Sequence, residues 1–525
     1  MISAISRIRA ITLTDFRIRY RSSSSAFIFL LLCIVAYLWI PDPSTGRTLL
    51  QMKEQRALYN SPALAMATAS LCSILLGLAG YYLVSNSIGR DTRTRTGFVI
   101  ASTPVRNYEY LTGIFLGNVL FLSVVIFGFM LSCIIMQLIR GEAPVQVTSF
   151  LWHYAILLPP MVMFVSAVSV LFESVRWLSG RFGDICYFFV WVFAIAFVGV
   201  SSEKLGGRNW TSYFDTFSFA FMLDQVKQIT HSEAISIGST SYNMSKPPFV
   251  FPGLTMAYSW IGPRIISTLY PFVFLGSALI FFNRFNPLKV KSSQLSSRRS
   301  ILGRVNALIR PVTVPLFSIG RISQKPGLLN AILSEVLLTL QLNPLMVLLL
   351  ILIALSAVFS SMGGLQQRVL PAQFVALAMI LADLPTREKR GGTMVMIESM
   401  PFLKPHFVLW KLGTAFSLCM LFNAIPLIRL LSHSPSSAVS LVIGSLLLAS
   451  TAVALGLATG NPKTYMVTFL MFLYLVMNDS GKSPGLDFAG WFGIATPDIQ
   501  VVYLLIVAFM ILLSTVVYSI QQKSR

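Results

Sequence analysis

Arginine, a carboxylate, threonine, serine and proline recur at matched spacing in two places along this chain, Arg90–Pro104 and Arg387–Pro401. With the second stretch shifted by 297 residues, Arg90 falls on Arg387, Asp91 on Glu388 and Arg93 on Arg390. Thr96 falls on Thr393, Ser102 on Ser399 and Pro104 on Pro401, giving R-[DE]-x-R-x-x-T-x5-S-x-P. These residue types suit non-covalent chemistry. Guanidinium groups pair with carboxylates, Asp and Glu cap helices or accept from basic groups, and proline forces a bend into the next span. Each stretch also carries an apolar run, with Phe98 and Ile100 in one copy and Met394, Met396 and Ile397 in the other. Exposed ion pairs are worth roughly 0–1 kcal/mol each, so any docking energy is expected from the apolar residues.

Signals for bond-making chemistry are lacking. No G-x-x-x-x-G-K-[ST] phosphate cradle occurs, and "GLATGNPKT" from Gly456 has Asn461 and Pro462 where the cradle needs lysine and a helix start. His153, His231, His406 and His433 are scattered without metal-ligand spacing and read as structural or interfacial, so no metal site is expected. The five cysteines, Cys33, Cys72, Cys133, Cys186 and Cys419, all fall in apolar runs and read as buried thiols.

The elements that position the two stretches are set by composition. Of 525 residues, 55% are hydrophobic and 11% charged, and the mean hydropathy is +0.74. A water-soluble surface cannot be built from that. Runs of about 20 apolar residues, the length of a membrane-spanning helix, centre near Ile34, Leu75, Val124, Met163, Trp191 and Phe274. A second set centres near Leu350, Ala378, Phe416, Leu447, Phe469 and Ile506. The expected fold is all-α, a polytopic membrane protein of about twelve spans. The run near Ile34 reads as a retained anchor, not a cleaved signal.

The net charge of +21 is accounted for by topology and not by nucleic acid. Most Lys and Arg fall in alternate connecting segments, which places both termini and both stretches on the cytoplasmic side, beside anionic lipid. The basic, Ser-rich segment after Asn283 reads as a linker. The halves are residues 1–300 and 301–525, with coupling loops at 87–110 and 384–405, and both begin inside, a parallel repeat of six spans. A surface helix is expected before the first span, carrying Asp15, Arg17 and Arg19, and an equivalent one before the seventh carrying Glu335.

The block "REKRGGTMVMIESMPF" resembles the loop of type-2 ABC exporter permeases (the ABC-2 family), E-x-x-x-G-T, a hydrophobic run, then S-x-P. Glu388, Gly392, Thr393 and Pro401 match it, as do Asp91, Thr96 and Pro104, while Arg95 departs from the glycine. The resemblance implies that each stretch is a coupling helix docking into a separate ATP-hydrolysing subunit, two per chain. It implies that ATP and Mg bind to those subunits, so that this chain is itself no enzyme. It implies export across a membrane, most naturally the bacterial cytoplasmic (inner) membrane. An ion-coupled transporter of six plus six helices and a membrane enzyme acting on lipid-linked substrates are the alternatives.

Residues 203–262 form a long outer segment crowded with aromatics, read as a headgroup-level anchor or a lid at the exit, with "YFDTFSFAFMLDQV" as an interfacial helix. Lys411 is expected to snorkel from the end of its span. Acidic residues map to span ends, which suits an amphipathic cargo: a lipid, a peptide or a hydrophobic natural product.

Overall fold

The computed structural model describes residues 3–52, 55–175, 177–205, 209–230, 235–283, 285, 327–342, 344–479, 481 and 483–523. The Ser-rich linker lies outside these residues, as does His231. The chain divides into two compact units, Met1–Ser292 and Ser293–Arg525.

Unit 1 contains α1 (Ala4–Tyr20), α2 (Ser23–Trp39), α3 (Ser61–Val84), α4 (Ser87–Arg93), α5 (Thr96–Ser102) and α6 (Asn107–Arg140). It continues with α7 (Val147–Leu157), α8 (Pro159–Ser174), α9 (Arg181–Leu205), α10 (Phe219–Thr230), α11 (Tyr258–Leu269) and α12 (Phe272–Phe281). Unit 2 contains α13 (Leu328–Leu342), α14 (Pro344–Phe359), α15 (Leu370–Leu381), α16 (Arg387–Gly391) and α17 (Met394–Glu398). It ends with α18 (Leu403–His433), α19 (Pro435–Thr459), α20 (Pro462–Asp479) and α21 (Pro497–Lys523). Every centre named from the sequence lies in one of these helices. By length and hydropathy six spans qualify among the described residues, or up to nine if each bent pair counts as one. The chain is a helical membrane protein by that measure.

Two features were not anticipated. A small antiparallel sheet accompanies the otherwise helical fold: β1 (Arg47–Met52) pairs with β2 (Gln55–Arg56) and with β3 (Ile235–Ser241), in the order β2-β1-β3. Leu49, Leu50 and Met52 of β1 are buried, so this short connection has an apolar face of its own. The supposed interfacial helix breaks at Asp215–Ser218, where the Asp215 carboxylate accepts the Phe219 and Phe221 N–H groups at 2.9 and 3.0 Å and caps α10. Its aromatics divide: Phe217, Phe221, Phe251 and Trp260 are buried, whereas Trp210, Tyr213, Phe214 and Tyr258 are exposed. His153 is structural, as its sequence context suggests, donating from Nδ1 to Ser149 O at 2.7 Å and accepting the Leu254 N–H at Nε2 at 3.0 Å.

Glycine sets the close approach of α1 to α6. A Cβ at Gly113 would meet Ile11 at 2.7 Å, and one at Gly117 would meet Asp15 at 3.0 Å. Gly413 of α18 does the same for Ile332 of α13, at 2.5 Å. The small residues let a short helix lie in a groove on a long one. Helix α1 turns from α2 by 68°, and α13 from α14 by 99°.

At the opposite end, each unit uses arginine to close a helix. Arg140, ending α6, donates to Tyr37 O at 3.1 Å and to Ile40 O, and stacks 4.3 Å from the Tyr37 ring. Arg429 of α18 donates to Ser360 O at 2.9 Å and to Ala357 O. The last carbonyls of a helix lack partners and carry its negative pole, so both arginines satisfy what α2 and α14 leave open. Arg140→Gln and Arg429→Gln are each expected to cost about 2 kcal/mol, read as thermal unfolding in neutral detergent. Lysine restores less than arginine because it presents a point charge rather than a fork.

Candidate functional site: two elbows on buried charge clusters

In unit 1 the chain leaves α3 at Ser85 and enters α4 through Asn86, a left-handed residue with φ +89°. Glu173, at the end of α8, accepts the N–H groups of Ser87, Ile88 and Gly89 at 3.2, 2.6 and 3.2 Å, and that of Asn86. A carboxylate there meets the free donors and positive pole of α4. Helix α4 then lies against α1. Asp15 accepts from Arg19 Nε at 2.8 Å, Ser87 Oγ at 2.8 Å and Arg90 Nη2 at 2.9 Å. Arg19 also reaches Ser87 Oγ and Asn118 Oδ1. Asp91 accepts from Tyr110 OH at 2.7 Å and from Arg90 Nε at 3.4 Å. Two carboxylates, Asp15 and Asp91, thus meet two guanidiniums, Arg19 and Arg90. Arg7 and Glu109 clamp the start of α1 to α6, with Nε to Oε2 at 3.1 Å.

Unit 2 reaches the same balance with other residues. Lys411 of α18 donates to Glu335 of α13 and to Glu388 of α16, the latter at 2.5 Å. Arg387 donates to Thr339 Oγ1 at 3.2 Å and lies 4.0 Å from Glu335. Again two carboxylates meet two cations. Lys411 does not snorkel: its side chain is 0% exposed, over the Trp410 ring at 4.2 Å. Two carboxylates brought together by packing require a buried cation between them, and that overrides the pull toward the headgroups.

The aligned residues make the same bonds in each copy. Thr96 Oγ1 donates to Asp91 O at 3.3 Å, and Thr393 Oγ1 to Glu388 O at 3.5 Å. Ser102 Oγ donates to Val99 O at 2.8 Å, and Ser399 Oγ to Met396 O at 2.7 Å. Between the short helices the chain turns at Arg95 (φ +62°) in one copy and Gly392 (φ +72°) in the other. Pro104 and Pro401 come after α5 and α17, ahead of α6 and α18. The departure at Arg95 therefore leaves the turn unchanged and places a side chain in the left-handed region. Arg95→Gly is expected to stabilise the protein by roughly 0.5–1 kcal/mol, relief of strain outweighing glycine's entropy, and Gly392→Ala to cost about 1 kcal/mol. Chemical denaturation of the two variants checks both signs.

The structure sorts the sequence candidates by direction. Among the charges, Arg90, Asp91, Arg387 and Glu388 are spent inside the protein, and Arg390 pairs with Asp383 at 2.5 Å. Asp15, Arg19 and Glu335 are buried against the elbows, whereas Arg17 is exposed. The Arg93 side chain lies outside the described residues. Among the apolar residues, Met394 and Ile397 are buried with Phe407, Leu412 and Tyr518, and Phe98 and Ile100 pack on the cluster around Tyr110 and Phe285. These four pack against the fold, Met394 and Ile397 fully and Phe98 and Ile100 in part. Exposed instead are Val99 (65%) in one copy, and Val395 (72%), Met396 (64%), Met400 and Phe402 in the other. Val99 and Met396 are equivalent under the shift of 297.

Compared with protein-family models, with curated proteins and with solved structures, the chain finds no match. The elbows alone carry the functional reading. Sequence reasoning gave no individual role to Glu173, Tyr110, Asn118 or Ser87, although the expected coupling loop 87–110 runs from Ser87 to Tyr110. It had placed Arg19 and Glu335 on a surface helix without their partners. The one available signal was the glycine pair Gly113 and Gly117, which marks where α1 must lie.

Proposed function

We propose that the chain is the transmembrane permease of an ATP-driven exporter of the ABC-2 type. The observation that carries this reading is the paired elbows: each is braced from behind by a buried charge cluster and presents bare apolar side chains outward at an equivalent position. A loop that served only to connect spans would not need a buried four-charge brace in both units. A brace of this kind stiffens a lever, so that force applied at Val99 or Met396 reaches α1 and α6, or α13 and α18, without being lost in side-chain motion.

In this reading the elbow end is cytoplasmic, about twelve spans cross a bacterial inner membrane, and two separate ATPase subunits hold ATP and its Mg. Nucleotide-driven closure of those subunits pushes the elbows, and the spans respond. The cargo is amphipathic, because the bundle is apolar over most of its length. An ion-coupled transporter is the second reading, favoured by the buried Asp215. Both oxygens of that carboxylate are already engaged by backbone N–H groups, which leaves little of it to bind a coupling ion. Reconstitution separates the two. In sealed vesicles the purified chain alone is expected to build no gradient of a fluorescent amphiphile under an imposed proton or sodium gradient, and to do so with its ATPase partner and ATP. Ion-driven accumulation by the chain alone would refute the proposal.

A further inference from the structure

The residue least explained by packing is Arg264, in α11. It is 6% exposed, within a helix that belongs to a candidate span, Tyr258–Phe281. Part of its role is structural. Pro159 and Pro160 have no N–H to offer the carbonyls four residues back, and α7 and α8 bend by 45° at that point. Arg264 Nη2 donates to Ile156 O and lies 3.5 Å from Leu157 O, and Ser218 Oγ also donates to Leu157 O. That uses one end of the guanidinium. The other, Nη1, is buried and has no hydrogen-bond partner among the described residues. An unused donor on a buried cation is costly, and an ionisable side chain inside a membrane bundle calls for a function.

The surroundings say what would take that donor. The guanidinium stands 5.2 Å from the Phe221 ring, and Phe221 in turn packs 5.3 Å from Trp260. Asp215, also buried, is its electrostatic counter-charge, but both Asp215 oxygens already accept backbone N–H bonds. Gln225 Nε2, on α10 one turn beyond Phe221, is a second buried donor without a partner among the described residues. Helix α11 shows Ile261, Ile265, Ile266 and Leu269 on its exposed side, so the guanidinium lies about one helix diameter, roughly 10 Å, from lipid. Ser218, in the turn before α10 and bonded to the same Leu157 carbonyl, has φ +62°, a conformation that disfavours a non-glycine residue.

We propose that Arg264 is the headgroup site for an amphipathic anion: a carboxylate or phosphate oxygen accepts from Nη1, while the apolar body lies along α11 toward the lipid. Opening of the Asp215–Ser218 turn admits it. That the ligand is cargo rests on the exporter reading; binding to the chain does not depend on it.

The test uses the full chain purified in neutral detergent, with no ATPase present, and equilibrium binding of three amphiphiles: oleate, lysophosphatidylglycerol and the uncharged monoolein. Saturable binding of the two anions at one site per chain is expected, at least tenfold tighter than monoolein. Arg264→Gln is expected to weaken the anions tenfold or more and leave monoolein unchanged, whereas Arg56→Gln, a basic residue near β1, changes nothing. Because Arg264→Gln also removes the bond to Ile156 O, Asp215→Asn gives an independent reading: it keeps one of the two accepted N–H bonds of the cap, removes the counter-charge, and tightens anion binding severalfold. A purely structural Arg264 would leave Asp215→Asn without that gain. Inorganic phosphate is expected not to compete at millimolar concentration, which separates an amphiphile from a small anion. Equal binding of monoolein, unchanged or weakened anion binding in Asp215→Asn, or displacement by phosphate overturns the proposal. Anion binding that persists when ATP-driven transport cannot be found would leave this site standing and refute only the exporter reading.

Discussion

Lys411→Met is expected to be the most damaging single substitution in unit 2, lowering stability by about 3–5 kcal/mol, the usual cost of removing one partner from a buried ion pair. The substitution fills the same space and adds no polar atom, so the loss is electrostatic. Glu335 and Glu388 would face each other with only Arg387 nearby, whose Nη1 already stands 4.0 Å from Glu335. The Glu388 oxygen that has no partner among the described residues would be joined by others. Removing the carboxylates as well should reverse much of this: Lys411→Met combined with Glu335→Leu and Glu388→Leu is expected to recover most of the stability, since an apolar replacement of a whole buried charge cluster is often neutral or better. Thermal unfolding of the single and triple variants in detergent checks both. A triple variant no better than Lys411→Met would mean that the brace is not the reason for the lysine.

The second large effect is on association. Val99→Asp with Met396→Asp, one change on each elbow, is expected to reduce binding of the ATPase subunits by at least a hundredfold while leaving the fold intact. Burial of a Val or Met side chain contributes roughly 1.5–3 kcal/mol, and each 1.4 kcal/mol is tenfold in affinity. A buried carboxylate adds a desolvation cost in the same direction. Both residues are exposed in this chain, so the substitution costs the chain itself almost nothing. By contrast Met394→Asp and Ile397→Asp strike the cluster around Phe407 and Tyr518, and should reduce folded yield before any question of docking arises. Within one elbow, Met396 and its neighbours Met394 and Ile397 thus separate a contact from a support.

Much of this architecture was legible beforehand. The apolar runs mark their helices because hydropathy over about 20 residues depends little on context. The matched Thr and Ser could be aligned by eye, and each pair turned out to make the same local bond, from Thr96 and Thr393 to the carbonyl of the preceding acid. Such bonds span few residues, which is why spacing shows them. Direction was not legible. Helix α17 has five residues, Met394–Glu398, too few for a period to tell Met394 and Ile397 from Val395 and Met396. Nor did the arginines announce that they face inward, because their partners lie far off in sequence: Asp15 is 75 residues from Arg90, and Glu335 is 76 from Lys411. The sheet escaped for the same reason, since β1 finds its second neighbour, β3, nearly two hundred residues later. Arg95 looked like a break in the motif when only the residue type had changed, the turn at φ +62° being kept.

The central claim is that the two elbows receive force from a separate nucleotide-hydrolysing subunit. Its most direct measurement is co-purification of the full chain from its native membrane, with the ATPase stoichiometry and ATP turnover of the isolated complex compared between wild type and Val99→Asp/Met396→Asp. The account predicts two ATPase subunits per wild-type chain, cargo-stimulated turnover, and loss of both in the variant at undiminished folded yield. A variant that keeps its ATPase and its stimulation, or a wild-type chain that moves cargo uphill with no second subunit, would contradict it.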